Sequence, residues 1–97
     1  MGSSAKKVEP PRAVRVRVTD DELSVSLDDG RTIAVPLAWY PRLAHASAED
    51  RDAWTLIGGG GGIHWAAVDE DISVEALLNG RGSGESRESF EHWLARR

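Results

Sequence analysis

Hydrophobic and polar residues alternate with a period of two along the first third of the chain, in residues 14–18, 23–27 and 32–37. Such alternation, rich in β-branched residues, is typical of strands that bury one face. Asp20-Asp21 and Asp28-Asp29-Gly30 supply turn residues between the runs, and Asp-Gly favours a short hairpin. The pattern predicts a three-stranded antiparallel meander with one apolar face. Val14, Val16, Val18, Leu23, Val25, Leu27, Ile33, Val35 and Leu37 form that face, and Arg15, Arg17, Ser24, Ser26 and Thr32 form the polar one.

Five consecutive glycines, Gly58 to Gly62, lie between the apolar runs WTLIG and GIHWAAV. A phosphate-binding loop of the Walker type would need Lys-Ser or Lys-Thr after the last glycine. A dinucleotide-binding turn would need a helix there, because the helix N-terminus holds the pyrophosphate. Ile63-His64 follows instead, in a run that is typical of a strand. The glycines are therefore predicted to form the turn of a β-hairpin.

Four short helical segments are predicted outside these strands. Proline in the first turn begins the first segment, and a serine N-cap begins each of the others. The last helix carries an apolar stripe with i, i+3, i+4 spacing. The predicted features are Pro41 in WYPRLAHAS, Ser47 before AEDRDAW, Ser73 before a helix with Leu77 and Leu78 inward, and Ser86 before a helix with Phe90, Trp93 and Leu94 inward.

These elements predict the α+β class: a small antiparallel sheet, made of the three-stranded N-terminal meander plus the glycine-turn hairpin, with short helices and a C-terminal helix. The polar segment 1–11 with its Pro-Pro pair is predicted to be a disordered tail. Residues 12–97 are predicted to form a single α+β domain, in which 80–86 is a flexible joint. Such a joint leaves open whether the last helix packs on its own domain or swaps into a homodimer.

Charge is distributed unevenly along the 97 residues, whose formal net charge is -4. Residues 1–18 contain five basic and one acidic residue, whereas residues 19–97 contain seven basic and fifteen acidic ones. An acidic body makes nucleic acid an improbable partner. Cysteine is absent, which suits a reducing compartment. No apolar run approaches the ~18 residues that span a bilayer, and we expect a cytoplasmic protein with no membrane association.

Candidate catalytic or metal-binding residues lack the spacing that such chemistry needs. His64 has no His-x-x-x-His partner, and Asp69, Glu70, Asp71 and Glu75 do not follow the calcium-loop pattern. Asp71 and Ser73 are instead expected to begin a helix, with Glu75 in its first turn. No nucleophile elbow is present. The sequence therefore predicts no enzyme, no metal and no cofactor.

Aromatic residues next to arginine suggest a protein-binding surface, because such residues are enriched among interface anchors. The chain contains four tryptophans, many for its length, which either fill the core of a small fold or anchor a partner. The alternative is a nucleic-acid-binding or transcription-associated accessory domain that uses the exposed arginines and the basic tail. The candidate partner-binding residues are Trp39, Tyr40, Arg42, Arg15, Arg17, Phe90 and Trp93.

Two long segments of the chain, DGRTIAVPLAWYPRL and RDAWTLIGGGGGIHWAAVDEDISVEALLNGRGSGES, resemble the bacterial domain of unknown function 2442 family. The resemblance extends over about residues 13–94, with Ala66 and Ala76 as small departures from the family pattern. It implies a small α+β domain with no established catalytic residues. Some relatives add a helix-turn-helix domain, which we expect this chain to lack. The resemblance also implies an antitoxin-like role, in which the protein binds a toxin encoded nearby.

Overall fold

The computed structural model describes residues 9–97, which form two three-stranded antiparallel sheets and four short α-helices. The predicted α+β class is confirmed. Most of the predicted tail, residues 1–8 of 1–11, lies outside the described residues. The strands are β1 (Ala13–Val18), β2 (Glu22–Leu27), β3 (Thr32–Pro36), β4 (Trp54–Ile57), β5 (Gly62–Trp65) and β6 (Glu70–Ser73). The helices are α1 (Pro41–Ala44), α2 (Ala48–Asp52), α3 (Val74–Leu78) and α4 (Arg87–Ala95).

The first sheet is the predicted meander, with strand order β1-β2-β3. Val25 at its centre lies opposite Val16 on one side and Ile33 on the other. A β-bulge between Ala13 and Arg15 shifts the register at the start of β1. Because a bulge inserts one residue and turns the next side chain over, Ala13 is buried and Val14 is 55% exposed. The prediction that Val14 faces the core is therefore wrong.

The second sheet has the order β4-β5-β6 and contains one strand more than the sequence predicted. β4 and β5 form the predicted hairpin, in which Trp54 lies opposite Trp65. β6 extends the sheet because Ile72 alternates with Asp71 and Ser73 and lies opposite Ile63 of β5. The expectation that Asp71 begins a helix is wrong, since the side chain that caps α3 is that of Ser73.

The core lies between the two sheets and the helices, and Trp65 is its largest fully buried side chain. The indole nitrogen of Trp65 donates a hydrogen bond to the carbonyl of Arg51 at 3.0 Å, so burial leaves no unpaired donor there. Leu43 of α1 and Leu77 of α3 are also buried. Leu78 was predicted to face inward but is exposed, because the single turn of α3 buries one of the two adjacent leucines.

Arg51 is buried and fixes the position of α1. Its guanidinium donates to the carbonyl oxygens of Leu43 at 3.0 Å and Ala44 at 2.9 Å, and to Asp20 at 2.8 Å. The last carbonyls of a helix have no intrahelical partner, and the Arg51 side chain satisfies them. The short α1 is thereby joined to α2 and to the β1–β2 turn.

The segment 81–86 has no regular secondary structure but is hydrogen-bonded to the domain. The Ser83 amide donates to the Trp39 carbonyl at 3.0 Å, and the Tyr40 hydroxyl donates to the Arg81 carbonyl at 3.0 Å. The helix α4 that follows packs on its own domain through Trp93, which is 6% exposed. Within residues 9–97, no helix is long and apolar enough to cross a membrane.

The glycine turn between β4 and β5 adopts a backbone conformation that residues with a Cβ rarely adopt. Gly58, Gly59 and Gly60 have φ angles of 59°, 66° and 101°, in the left-handed region. A Cβ on Gly60 would lie 2.8 Å from the Ala13 carbonyl oxygen, whereas a Cβ on Gly58 would meet nothing within 4 Å. The turn therefore packs closely against the start of β1 and connects the two sheets.

We expect Gly60→Ala to lower the free energy of unfolding by about 2–4 kcal/mol, because it adds a backbone clash to the left-handed penalty. Gly58→Ala is the matched control and should cost about 1 kcal/mol, since it incurs the conformational penalty alone. Urea denaturation followed by tryptophan fluorescence measures both values. Equal losses in the two variants would contradict the proposed contact with β1.

Candidate functional site

A groove of about 310 Å³ runs beside β6, which is an edge strand of the second sheet. One wall is β6 itself, the other is the segment 82–84, and Tyr40 and Ala76 contribute to its lining. Its volume lies at the lower end of the range for binding pockets, which favours a short segment or a small group over a large cofactor. We call it the β6 groove; it is lined by Tyr40, Ile57, Gly62, Glu70, Asp71, Ile72, Ser73, Ala76, Gly82, Ser83 and Gly84.

The β6 wall presents unpaired backbone groups to the groove. The Val74 amide donates to the Gly61 carbonyl at 2.9 Å, so residues 74, 72 and 70 direct their backbone groups toward β5. The alternate residues, Asp71 and Ser73, point away from β5. The Ser73 carbonyl begins the α3 ladder as the N-cap carbonyl. The Asp71 N–H and C=O and the Ser73 N–H therefore face outward, where no strand of residues 9–97 pairs with β6 and no turn or loop hydrogen bond uses them.

Glu70 carries a carboxylate at the end of the groove. Burial raises the pKa of Glu70 from 4.5 to about 7, a net shift that Arg42 opposes and to which the charges of Glu85, Asp71 and Asp69 also contribute. Tyr40 also lines the groove, and burial, followed by the charge of Glu70, raises the pKa of Tyr40 as well. An ionisable group with a perturbed pKa in a cleft is a candidate for ligand recognition. Glu70 is therefore the group of the groove that is best placed to select a charged ligand.

Arg42 and Glu85 form an ion pair that holds the end of the groove in place. The Arg42 Nε donates to both carboxylate oxygens of Glu85, at 2.9 and 3.0 Å, and these hydrogen bonds hold the pKa of Glu85 below its ordinary value. Arg42 also donates to the carbonyls of Val68 at 3.3 Å and Asp69 at 3.2 Å. Its guanidinium lies 5.2 Å from the ring centre of Trp93. One side chain thus joins α1, the turn before β6, the segment 81–86 and α4.

A second cleft adjoins the first around this ion pair. Its volume is about 320 Å³, and it shares Glu70, Ser83 and Gly84 with the β6 groove. Its other lining residues are Arg42, Asp69, Glu85 and Ser89. In the described part of the chain, no group of three or more histidine or carboxylate side chains is arranged to hold a metal ion. The two clefts together form one acidic surface centred on Glu70.

The structure brings five of the seven predicted partner-binding residues to this end of the molecule. Tyr40 is 3% exposed and lines the β6 groove, and Trp93 is 6% exposed and packs on the core. Arg42 is committed to Glu85, and Phe90 packs with its ring centre 5.1 Å from that of His45. Trp39 is 38% exposed beside the groove segment 82–84.

Arg15 and Arg17 lie apart from the groove, on the solvent face of the first sheet. They stand opposite Ser26 and Ser24 of β2 and make no ion pair with any residue from 9 to 97. His64, which was considered as a ligand, pairs with Asp71 across the second sheet. The sequence interpretation missed Glu70 and Ser83 as site residues. The alternation of Ile72 with Asp71 and Ser73 was the signal for β6, but nothing local indicates that segment 82–84 lies beside it.

The chain matches the family described as "Protein of unknown function (DUF2442)" over residues 13–83. A crystal structure of a protein of unknown function from Rhodospirillum rubrum is 30% identical, with a TM-score of 0.69, and the match covers 79% of this chain and 95% of that one. A solution NMR structure of an uncharacterized protein from Chromobacterium violaceum is 20% identical, with a TM-score of 0.65 and coverage of 84% and 75%. The second likeness shows a shared fold. No curated protein matches the chain.

Replacement of Arg42 by methionine should lower the free energy of unfolding by about 2–4 kcal/mol, because the partly buried Glu85 loses its cation and the carbonyls of Val68 and Asp69 lose their donor. Adding Glu85→Gln to Arg42→Met should recover part of the loss, since the stranded charge is then removed. Arg97→Met is the matched control. Arg97 also stacks on Trp93, at 4.5 Å, but its ion pair with Asp50 is more exposed. Urea denaturation measures all four proteins, and a control loss below about 1 kcal/mol is expected. A larger loss for Arg97→Met than for Arg42→Met would contradict the central role of Arg42.

Glu70→Gln should stabilise the fold at pH 8 and leave it unchanged near pH 4. The folded-state pKa of about 7 lies above the ordinary value of 4.5, so the folded protein is most stable with Glu70 protonated and loses stability as the pH rises through that interval. We expect a gain of the order of 1 kcal/mol at pH 8, after allowance for solvent screening. Urea denaturation at both pH values, with the exposed Glu91→Gln as control, measures it. No difference between Glu70→Gln and wild type at pH 8 would show that Glu70 is freely solvated.

Proposed function

The chain belongs to the DUF2442 family, and from that premise we propose that it is a non-catalytic protein-binding domain, the antitoxin-like member of a two-protein pair. The observation that carries this proposal is the β6 groove, where an edge strand directs unpaired backbone groups into a cleft. Proteins commonly capture an extended segment of a partner at such an edge, because main-chain hydrogen bonds supply affinity and adjacent pockets supply specificity.

The surroundings of the groove support a protein partner. Trp39 lies half exposed beside it, and Ile57 is an exposed apolar side chain that lines it. A rim of this kind, with an aromatic residue and an apolar side chain, is typical of interface anchors. We also propose a cytoplasmic location, which the absence of cysteine from the sequence supports.

Nucleic-acid binding through Arg15 and Arg17 is the alternative function. Both side chains are exposed, and the serines opposite them leave the sheet surface open. Residues 19–97 contain fifteen acidic and seven basic residues, however, so two arginines would have to attract phosphate against an acidic body. The groove offers more directional groups than this surface, and we therefore favour a protein partner.

Co-expression with the product of the adjacent gene tests the proposal. We expect the two proteins to co-purify through an affinity tag on one of them, and Ala76→Met to abolish co-purification, because it fills the groove from α3 without altering charge. Asn79→Met at the end of the same helix is the matched control, since Asn79 does not line the groove. Arg15→Ala with Arg17→Ala should also retain the partner. Separate elution of the two wild-type proteins would refute the proposed pair.

A further inference from the structure

The register of β6 determines which side chain an added strand would meet. Asp71 is the residue whose backbone N–H and C=O both point outward, so an antiparallel segment would exchange two hydrogen bonds with it. The neighbouring residue of that segment would then lie opposite Glu70. Residues opposite each other on antiparallel strands share a face, with Cβ atoms about 4.5–5.5 Å apart. A side chain of the segment would therefore lie beside the Glu70 carboxylate.

The charge at this position is unbalanced. Groups that face Glu70 are Tyr40 and Arg42 from the α1 region, Asp69 and Asp71 from its own strand and turn, and Glu85 from segment 81–86. Arg42 is the one cation among them. It pairs with Glu85 and lies 3.8 Å from the Asp69 carboxylate, and Asp71 contacts His64, whereas Glu70 has no ion pair with any residue from 9 to 97. A cation that enters the groove would find a desolvated carboxylate with two further acidic side chains nearby. A neutral or acidic side chain would find no such complement.

The opposite wall leaves room for a backbone. Segment 82–84 has Ser83 between two glycines, and a Cβ on Gly84 would meet nothing within 4 Å. The Ser83 amide is already bonded to Trp39, so this wall is anchored and does not depend on the ligand for its position. The cleft volume of about 310 Å³ fits a short segment and excludes a folded domain.

We propose that the β6 groove binds an extended segment of the protein partner as an added antiparallel strand, with a lysine or arginine of that segment beside Glu70. This proposal rests on the proposed function and identifies the kind of partner segment that it requires. Asp71 and Ser73 supply the backbone pairing, and Glu70 supplies the preference for a basic side chain.

Three blocked heptapeptides test the proposal with the full chain. Their sequences are Ac-TVTKTVT-NH2, Ac-TVTQTVT-NH2 and Ac-TVTETVT-NH2, which favour an extended conformation and differ only at the centre. Titration into the ¹⁵N-labelled protein at pH 8 should shift the amide signals of Asp71 and Ser73. The lysine peptide should bind about fivefold more tightly than the glutamine peptide, and the glutamate peptide should bind most weakly.

Substitution of Glu70 isolates its contribution. In Glu70→Gln the lysine and glutamine peptides should bind with equal affinity, while both peptides still shift the amide signals of Asp71 and Ser73. In wild type the preference for the lysine peptide should shrink between pH 8 and pH 6, as Glu70 becomes protonated, whereas Glu70→Gln should show no such change in preference. The variant thereby controls for pH-dependent changes elsewhere in the groove. Equal affinities for the three peptides at pH 8, or shifts confined to other residues, would overturn the proposal.

Other outcomes separate this proposal from the proposed function. The adjacent gene product could co-purify with wild type and with Glu70→Gln but not with Ala76→Met. That result would refute the preference for a basic segment, and the protein-binding function would stand. If no partner co-purifies but the lysine peptide binds as described, the antitoxin-like role fails and the groove preference stands. If the amide signals of Asp71 and Ser73 shift with protein concentration in the absence of peptide, a second copy of this chain pairs with β6. That result would overturn the proposal that a partner segment binds there.

Discussion

The Arg42–Glu85 ion pair is the interaction on which the arrangement of the site depends. Arg42 lies in α1, a one-turn helix that has little stability of its own. Its guanidinium contacts the turn before β6, the segment 81–86 and the ring of Trp93. A planar guanidinium with five donors can satisfy several acceptors at once. The same contacts that anchor α4 therefore also hold the wall of the groove against β6.

The groove exists because two irregular parts of the chain are held firmly. The glycine turn packs against the start of β1 and allows β5 to lie between β4 and β6. The segment 82–84 is bonded to Trp39 and leaves the outward groups of β6 without partners among the described residues. An edge strand left open in this way is a liability in a protein that has no use for it. Its position in a cleft, with acidic residues that discourage self-association, is consistent with selective pairing.

Glu70 illustrates how a binding surface can oppose stability. Its carboxylate is desolvated beside other acids, and the resulting rise in pKa is a free-energy cost to the folded state at neutral pH. Costs of this kind concentrate at functional sites, because the interactions that would relieve them are supplied by a ligand. A cation beside Glu70 would provide that relief. The partly buried Arg42–Glu85 pair shows the contrasting case, in which the compensating charge is already part of the chain.

The sequence by itself determined the elements whose signals are local. Period-two alternation predicted the meander, and the glycine run predicted the hairpin. The N-caps Ser47, Ser73 and Ser86 were also predicted correctly. Strand faces, turns and caps are predictable in this way because they are set by residues within a few positions of one another. Tertiary structure decided the rest. The bulge that exposes Val14, the pairing of β6 with β5, and the burial of Tyr40 and Trp93 depend on contacts between distant segments. The candidate site belongs to this second class, since Arg42, Glu70 and Glu85 meet across 43 residues of chain, and no local pattern encodes that meeting.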